Sequence, residues 1–262
     1  MKSMKEWLEN HFDVQQGMYF NEKHVYIGNK YYSSSLISDS VWNYGVVDEF
    51  TDDSITAFES LCKKIGKPYN LYVPMQTLNF NDTLLIKRGY SKPCTEDGTI
   101  VTETWMSFTS KNYTLKKAFN IKRVSNSKQV DDFVEVFLSA YGGGKTPEKP
   151  YGDLPPEYTQ ALLQSFDNEK FYHFICYNDD NVPVSVASMC FVDGVAGLYN
   201  VGTKPEHEKQ GYGLAVTDAC ITQWLKLSGT KLFLQTETGT GIDDWYEKMG
   251  FAKIFYGAIY EK

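Results

Sequence analysis

Hydrophobic and polar positions alternate with two different periods along the part of the chain that follows residue 117. Apolar residues recur every three or four positions over 127–140 and 214–227, which predicts two helices. The predicted strands of this part are 118–124, 171–177, 182–192, 195–203, 231–236 and 251–260, and the further helices are 156–166 and 242–248. The dipeptide Asp193-Gly194 between two of these strands is a strong two-residue hairpin signal.

The N-terminal part repeats the later half of this order. Its pattern predicts strands at 41–47, 70–75 and 104–108 and helices at 54–65 and 83–88. The segment 84–90 (LLIKRGY) parallels the segment 245–251 (WYEKMGF), since both end in a glycine followed by an aromatic residue. A repeat on this scale indicates two domains of one fold, separated by the polar, lysine-bearing segment 110–120. We therefore predict domains at 1–117 and 118–262.

Composition restricts the kinds of molecule that the protein is expected to bind. A chain of 262 residues is long enough for two modest domains with a sizeable core. The net charge of −7 argues against nucleic acid, because phosphate-binding surfaces need a basic patch, whereas a cationic substrate is tolerated. The five cysteines lack metal-ligand spacing, which predicts buried apolar side chains and no metal site. No segment has the length of a membrane span or a signal peptide, so a cytoplasmic location without a membrane partner is expected.

One segment, 205–215 (PEHEKQGYGLA), carries the clearest chemical signal. It stands between an extended apolar run and a helical pattern, so backbone N–H groups are expected to converge at a helix N-terminus. The helix dipole adds partial positive charge there. Gly211 and Gly213 let the backbone approach a bulky phosphate without a Cβ in the way. The sequence therefore predicts an anion site at this turn.

Two common nucleotide-binding motifs do not fit. The segment 142–146 (GGGKT) suggests a phosphate-binding loop, but Ser139 stands where that motif needs a glycine, and the segment follows a helix and runs into Pro147. A dinucleotide-binding fold is disfavoured because the glycine pattern is incomplete, the ribose-binding acid is missing and the strands are hairpin-linked.

Three pieces in the right order resemble the GCN5-related N-acetyltransferase (GNAT) superfamily over about 118–262. They are the strand ending near Thr203, the turn Gln210-Gly211-Tyr212-Gly213, and the segment 245–251. The resemblance implies an α/β (α+β) fold of two GNAT-like domains, each a mixed, mostly antiparallel sheet flanked by helices. It also implies acetyl-CoA as the acyl donor and the primary amine of a small molecule or peptide as the acceptor.

The resemblance assigns the contacts to coenzyme A residue by residue. The pyrophosphate loop maps onto Glu208, Lys209, Gln210, Gly211, Tyr212 and Gly213, and the pantetheine lies along Val201, Gly202 and Thr203. Glu208 stands where the family often has Arg or Gln, and its charge opposes a pyrophosphate, with Lys209 as a compensating cation. Gly239 stands where the family often has the Asn that contacts pantetheine.

Acyl transfer to an amine by direct attack passes through a tetrahedral intermediate, which needs a neutral amine, a donor for the oxyanion and a proton for the leaving thiolate. Backbone N–H groups freed where strand 195–203 splays from strand 231–236 suit the oxyanion. Tyr246 occupies the position of the family's frequent general acid. The base stays open between Glu237 itself and a water chain ending at Glu237, Tyr199 or Asn200. His173 alternates with phenylalanines on a strand, which favours a structural role.

The N-terminal domain is predicted to be a degenerate copy. The acidic, glycine-free segment 48–53 takes the place of the glycine turn and is expected to repel a pyrophosphate, and its Asp52 and Asp53 are interpreted as helix caps. Leu85 stands where Tyr246 stands in the other half. One active site per chain follows, with the N-terminal domain shaping or covering the acceptor cleft.

Several alternatives remain open on the sequence alone. The chain is predicted to be an acyl-CoA-dependent N-acyltransferase, with a catalytically silent GNAT-like module that binds CoA or a small ligand, or an aminoacyl or peptide transferase of tandem-GNAT type, as alternatives. The loop 142–146 is interpreted as an acceptor-side lid or an ordinary loop. An aromatic-lined acceptor pocket or ordinary packing is expected of four tyrosines, Tyr141, Tyr151, Tyr158 and Tyr172. Monomer and homodimer are both compatible with the sequence.

Overall fold

Every helix and strand predicted from the periodicity is present, and each boundary lies within two residues of the expected one. The structure is a computed structural model that describes residues 2–92, 94, 101–111, 113–115, 118–144, 149 and 152–262. Lys145, Thr146 and Pro147 of the glycine-rich loop, and Tyr151, lie outside the described residues. The predictions made for them stay predictions.

The helices and strands follow in the order that the repeat predicts. The helices are α1 (Lys2–Gln15), α2 (Asp52–Ile65), α3 (Thr83–Lys87), α4 (Ser127–Gly142), α5 (Pro156–Ser165), α6 (Tyr212–Lys226) and α7 (Ile242–Lys248). The strands are β1 (Glu22–Tyr26), β2 (Asn29–Ser33), β3 (Asn43–Val46), β4 (Leu71–Met75), β5 (Glu103–Phe108), β6 (Asn120–Arg123), β7 (Phe171–Tyr177), β8 (Pro183–Val192), β9 (Val195–Thr203), β10 (Lys231–Glu237) and β11 (Phe251–Tyr260). The helix α1 and the hairpin β1–β2 were not predicted.

Two compact units share the chain. Unit 1 contains 1–12, 19–111 and 235–262, and unit 2 contains 13–18 and 112–234. The division after residue 111 lies near the predicted domain boundary at 117, but 235–262 group with the N-terminal part. The predicted domains at 1–117 and 118–262 therefore remain a prediction about sequence repeats, distinct from these units.

The sheet of unit 1 is antiparallel except at one pair. Its strands follow the order β1-β2-β3-β4-β11-β5, and the parallel pair is β3 with β4. The C-terminal strand β11 lies between β4 and β5, where Ala258 pairs with Val73 and Phe251 pairs with Phe108. Residues 251–260 thus complete the sheet of the N-terminal unit, with Trp105 and Phe255 stacked 5.0 Å apart in its core.

The sheet of unit 2 has the same mixed character. Its strands follow the order β10-β9-β8-β7-β6, and β9 with β10 is the parallel pair. Both parallel pairs are strand–helix–strand units, β3-α2-β4 and β9-α6-β10, which is the repeat expected from the sequence. Long crossovers of this kind are what a parallel pair requires. The predicted α/β fold with mixed, mostly antiparallel sheets flanked by helices is confirmed.

The N-terminus of α2 corrects the interpretation of its acidic residues. The side chain of Thr51 caps the helix by accepting from the N–H of Ser54 at 3.2 Å. Asp52 and Asp53 follow this cap in the first turn, where their negative charges interact favourably with the helix dipole. Asp52 also accepts from Arg88 at 2.9 Å. The acidic segment is therefore used to begin a helix and to bind an arginine.

Cysteine burial and helix composition agree with an ordinary globular chain. Cys62, Cys176, Cys190 and Cys220 are buried and unbridged, whereas Cys94 is exposed. Burial raises the pKa of the Cys62 thiol to about 12, so it is protonated at neutral pH. In the part of the chain that the structure describes, no helix is both long and apolar enough for a membrane crossing, and no cluster of His, Cys, Asp or Glu could hold a metal ion.

Candidate active site

The strand β9 changes its pairing partway along its length. Val195, Ala196 and Gly197 pair with β10, and among the described residues the pairing between these two strands ends there. On its other edge β9 pairs with β8, where the register shifts between Val186 and Ser188. Two residues of β9, Asn200 and Val201, therefore stand opposite the single residue Ala187. This is a β-bulge, and such bulges re-aim the backbone groups of a strand.

The residues predicted to line the pantetheine begin within this bulge, and side chains of α4 and β8 contact them. The Tyr141 hydroxyl donates to the Val201 carbonyl at 2.8 Å. The Ser185 hydroxyl contacts the Gly202 carbonyl and the Thr203 hydroxyl, each at 2.9 Å. A Cβ on Gly202 would come within 2.7 Å of the Ala140 side chain, so glycine permits α4 to approach β9. Val201, Gly202 and Thr203 thus form a fixed strand end.

The glycine turn follows β9 directly and has the conformation of an anion-binding loop. A short 3-10 helix, Pro205–His207, leads into Lys209 with φ of 60° and Gly211 with φ of 89°. Gly211 is the N-cap of α6, and no side chain caps that helix end. The Ala215 N–H donates to the Gly211 carbonyl at 3.0 Å, so the N–H groups before it have no intrahelical acceptor. An anion is the natural acceptor for such groups.

The side chains of the turn are mostly solvent-exposed and carry a small net negative charge. Glu206, Glu208, Lys209 and Gln210 are exposed. The buried Lys204 just before the turn is already paired with Glu135 of α4. The backbone N–H groups are therefore the main groups at this turn that could bind an anion.

Tyr212 contributes to this site through its backbone position. Its ring is buried, and it packs edge-to-face against Phe119 with the ring centroids 5.6 Å apart. A Cβ on Gly211 would lie 3.2 Å from the Phe119 ring. The rings of Phe119 and Tyr212 thus pack against the turn. Gly213 lies in the first turn of α6.

Tyr246, the predicted general acid, lies in unit 1 on α7. Its ring is buried and contacts Trp245 at 4.7 Å and Phe251 at 5.5 Å between centroids. The same helix is anchored to β11 by an ion pair of 2.9 Å between Asp243 and Lys253, and this lysine lowers the pKa of the Asp243 carboxyl. Aromatic packing and an ion pair with a buried aspartate thus fix the tyrosine's backbone.

Glu237 and Gly239 lie between β10 and α7, also in unit 1. Glu237 is the last residue of β10 and is exposed, and its carbonyl accepts from Thr240 at 3.2 Å. Gly239 has φ of 80°, and a Cβ there would meet open space. The segment is fixed nearby, because the Thr238 N–H donates to the Thr102 carbonyl at 2.9 Å. The predicted site residues are thus distributed as a β9-and-turn group in unit 2 and a β10–α7 group in unit 1.

The corresponding elements of the N-terminal half lack these features. Leu85, at the position of Tyr246, is buried in the core of unit 1. In the acidic segment the side chains of Asp48, Glu49, Asp52 and Asp53 are exposed. Asp48 is paired with Lys5 at 2.9 Å. An exposed acidic segment before α2 offers negative charge where α6 offers an uncapped helix end.

His173 has the structural environment that its strand pattern predicts, but its partners were not predicted. Both ring nitrogens have hydroxyl partners, Ser165 at 3.0 Å and Ser188 at 2.8 Å. Burial lowers the pKa of His173 to about 3, so the ring is neutral. The strand alternation signalled the burial, whereas the cross-strand pair of His173 with Ser188 depends on a register that only the fold shows.

A family model and several solved structures are similar to this chain. Residues 134–251 match the model of the acetyltransferase (GNAT) family, and this match includes β9, the glycine turn and Tyr246. A GCN5-related N-acetyltransferase from Kribbella flavida is 15% identical, covers 97% of this chain and 94% of its own, and superposes with a TM-score of 0.64. No curated protein matches significantly by sequence.

Tandem architecture is represented among the similar structures. A tandem GNAT protein from the clavulanic acid biosynthesis pathway is 8% identical, covers 89% of this chain and 78% of its own, and has a TM-score of 0.59. A GCN5-related N-acetyltransferase from Sphaerobacter thermophilus is 10% identical, covers 90% of this chain and 76% of its own, and has a TM-score of 0.58. At these identities the likeness shows the fold alone.

The fold combines a mixed sheet with a glycine turn that leads into an uncapped helix N-terminus. Residues 134–251 match the GNAT family model, and the fold of the chain is similar to that of a tandem GNAT protein. The family match supports acyl-CoA-dependent N-acyl transfer in general, with acetyl-CoA as the donor that the family uses and an amine as the acceptor.

Proposed function

We propose that this chain transfers an acetyl group from acetyl-CoA to the primary amine of a small molecule or peptide by direct attack of the amine. One observation carries the proposal. Beyond its pairing with β10, β9 continues into a left-handed turn and an uncapped helix N-terminus, so strand-edge groups and helix N–H groups follow one another in one continuous segment.

The residues of this segment fit the parts of coenzyme A. The N–H groups at the start of α6, with Lys209 and Gln210 beside them, would hold the pyrophosphate, and Val201, Gly202 and Thr203 would line the pantetheine. Gly211 suits a closely approaching phosphate because its conformation and the nearby Phe119 ring leave little room for a Cβ. Gly239 offers backbone groups but no side-chain amide to the pantetheine.

Each chemical need of the reaction has a candidate group. Acetyl-CoA supplies an activated acetyl thioester when bound. Backbone N–H groups of β9 beyond Gly197 are proposed to stabilise the oxyanion, since their pairing with β10 has ended. Tyr246 is proposed to protonate the thiolate as general acid. Glu237, exposed at a strand end, is proposed to accept the amine proton directly or through water.

Gly211→Ala is expected to weaken CoA binding about tenfold, which is roughly the free energy of one hydrogen bond. The reason is that alanine is strained at φ of 89° and its Cβ meets Phe119 at 3.2 Å, so the turn shifts its N–H groups. Isothermal titration with CoA measures the change. Gly66→Ala is the matched control: Gly66 has φ of 67° at the end of α2 with open space around it. Equal CoA affinity in wild type and Gly211→Ala contradicts the assignment of the turn.

Glu208→Gln is expected to tighten CoA binding about two- to fivefold at low salt, because it removes one exposed negative charge beside the proposed pyrophosphate. The gain should shrink as the salt concentration rises. Glu169→Gln, between α5 and β7, removes another exposed charge outside the turn and serves as the control. A fall in affinity for Glu208→Gln means that the carboxylate holds the turn's conformation instead of opposing the ligand.

Release of free thiol from acetyl-CoA in the presence of an amine panel tests the proposed activity. Turnover that depends on both acetyl-CoA and amine supports it. CoA binding without turnover, across the panel, would instead favour a silent CoA-binding module, the alternative to which Glu208 and Gly239 point. Transfer from an aminoacyl donor, with none from acetyl-CoA, would favour the tandem-type aminoacyl or peptide transferase.

We further propose a single acetyl-CoA site per chain. Leu85 in place of the tyrosine and the exposed acidic segment before α2 support this proposal. A stoichiometry of one CoA per chain in the titration is the expected result, and two sites of comparable affinity would overturn it. We also propose a cytoplasmic location and no nucleic-acid partner, in line with the net charge of −7.

A further inference from the structure

The β9 bulge contains a residue in an unfavourable backbone conformation. Asn200 has φ of 53°, which places a side chain other than glycine in the left-handed region. Asparagine tolerates this region better than most residues, but the conformation is still unfavourable unless the surroundings hold it. The bulge therefore needs a stabilising contact, and the Asn200 side chain makes one.

A chain of buried hydrogen bonds runs from this side chain into unit 2. The Asn200 amide Nδ2 donates to the Ser188 hydroxyl at 3.2 Å, and the Ser188 hydroxyl lies 2.8 Å from His173 Nδ1. His173 Nε2 lies 3.0 Å from the Ser165 hydroxyl, which donates to the Leu162 carbonyl. His173, Ser188 and Ser165 are all at most 4% exposed. The chain links the bulge on β9 to the last turn of α5.

The donor and the acceptor of each hydrogen bond in this series follow from the groups at its two ends. Because Ser165 gives its proton to a carbonyl, it must accept from the Nε2–H of His173. A neutral imidazole then accepts at Nδ1, so Ser188 donates there and accepts from Asn200. This assigns the Nε2–H tautomer to His173. It also gives Asn200 a donor role toward Ser188, which an amide can fill but a general base cannot.

We propose that this chain, Ser165–His173–Ser188–Asn200, is a positioning device for the bulge. It orients the Asn200 side chain, which holds the left-handed backbone, so that the β9 N–H groups after the bulge keep the direction that an acetyl thioester requires. The inference rests on the proposed function, and its residues act through the backbone without touching the substrate. The hydrogen bonds are unidirectional and buried, so removing the Ser188 hydroxyl takes away the donor to His173 Nδ1 and the acceptor from Asn200.

The decisive comparison is between two substitutions at the bulge. Asn200→Gly removes the amide but adopts positive φ without strain, so the bulge persists without the chain. Asn200→Ala removes the amide and disfavours positive φ. We expect kcat within about threefold of wild type for Asn200→Gly and at least about tenfold lower for Asn200→Ala. Equal losses in the two variants would overturn the proposal, since the side chain itself would then act on the substrate.

Ser188→Ala, alone and combined with Asn200→Gly, tests whether the hydrogen-bond chain acts on the bulge through Asn200. Alone it should lower kcat about tenfold with little change in CoA affinity, and in the Asn200→Gly background it should lower kcat no further. Ser188→Thr keeps the hydroxyl and should recover most of the activity. Ile175→Val, a fully buried change on the same sheet outside the chain, is the control for a general loss of stability. Additive losses in the double variant would contradict the coupling.

Nuclear magnetic resonance gives a readout that needs no turnover. Nitrogen shifts of His173 should report the Nε2–H tautomer in wild type, and the amide resonances of 201–203 should move on CoA addition in wild type and Asn200→Gly but less in Ser188→Ala. If wild type transfers no acetyl group, the proposed function fails, while these shifts still decide the role of the chain. The Nδ1–H tautomer, or identical responses in all variants, would overturn it.

Discussion

Tyr246→Phe is expected to lower kcat by about 100- to 1000-fold while leaving CoA affinity within about threefold, since a positioned general acid contributes on this scale. The ring is buried against Trp245 and Phe251, and phenylalanine keeps that packing, so α7 should keep its place. A loss of kcat can therefore be attributed to the missing hydroxyl. Steady-state kinetics with acetyl-CoA and the best amine, together with a melting curve, measure both quantities.

The control for this experiment is a second tyrosine on the following strand. Tyr256 in β11 is half-buried and plays no part in the proposed chemistry, so Tyr256→Phe should retain kcat. A Tyr246→Phe enzyme with near-normal kcat would restrict Tyr246 to packing. In that case a water molecule would have to protonate the thiolate. A loss that instead appears in CoA affinity would assign the hydroxyl to binding the donor.

The fold could be predicted where the sequence carries a strong period or a turn signal. Strand β9 and helix α7 begin and end at the predicted residues, because Asp193-Gly194 and Met249-Gly250 mark their boundaries. Helix α1 also has a signal, since Met4, Leu8 and Phe12 are buried at four-residue spacing, but polar residues between them obscured it. Its amphipathic face is therefore recognised only once the burial of these three residues is known.

The hairpin β1–β2 could not be predicted for a different reason. Four of the five residues of β1 are exposed, so no alternation marks the strand. Its turn uses Ile27 and Gly28, both with positive φ, where the usual signal is Asn-Gly or Asp-Gly. The position of β11 between β4 and β5 was equally hidden, because local patterns do not specify which strands a C-terminal strand pairs with.

The same difference between local and long-range contacts decides which parts of the candidate site could be predicted. The glycine turn could be predicted because its contacts lie within one short segment, from Glu208 to Gly213. The support of the β9 bulge could not, because His173, Ser188 and Asn200 meet only through the register of three strands. A one-residue shift of that register would turn these side chains to the other face. Contacts of this kind follow from the fold and not from any motif.

Acid is expected to destabilise this protein steeply below about pH 6.5 because of its two buried histidines. Burial lowers the pKa of both His11 and His173 to about 3, against about 6.5 in an unfolded chain. Their stabilising contribution is complete above the unfolded pKa and falls with pH down to the folded pKa, because only the unfolded state takes up the protons in that window. Each histidine should contribute a slope of about 1.4 kcal/mol per pH unit.

Chemical denaturation at pH 7, 6, 5 and 4 measures this slope. His11 contacts Phe20, Trp42 and Trp105 in unit 1, so His11→Phe should flatten the acid slope while costing stability at pH 7. His173→Gln should do the same for unit 2, where the chain to the bulge is lost as well. Ile175→Val, a buried change without a titrating group, is the control and should leave the slope unchanged. An unaltered slope in both buried variants would mean that these histidines accept protons within the folded state. In that case protonation of His173 would break its bond from Ser188 without unfolding, and acid would then act on the β9 bulge before it acts on the fold.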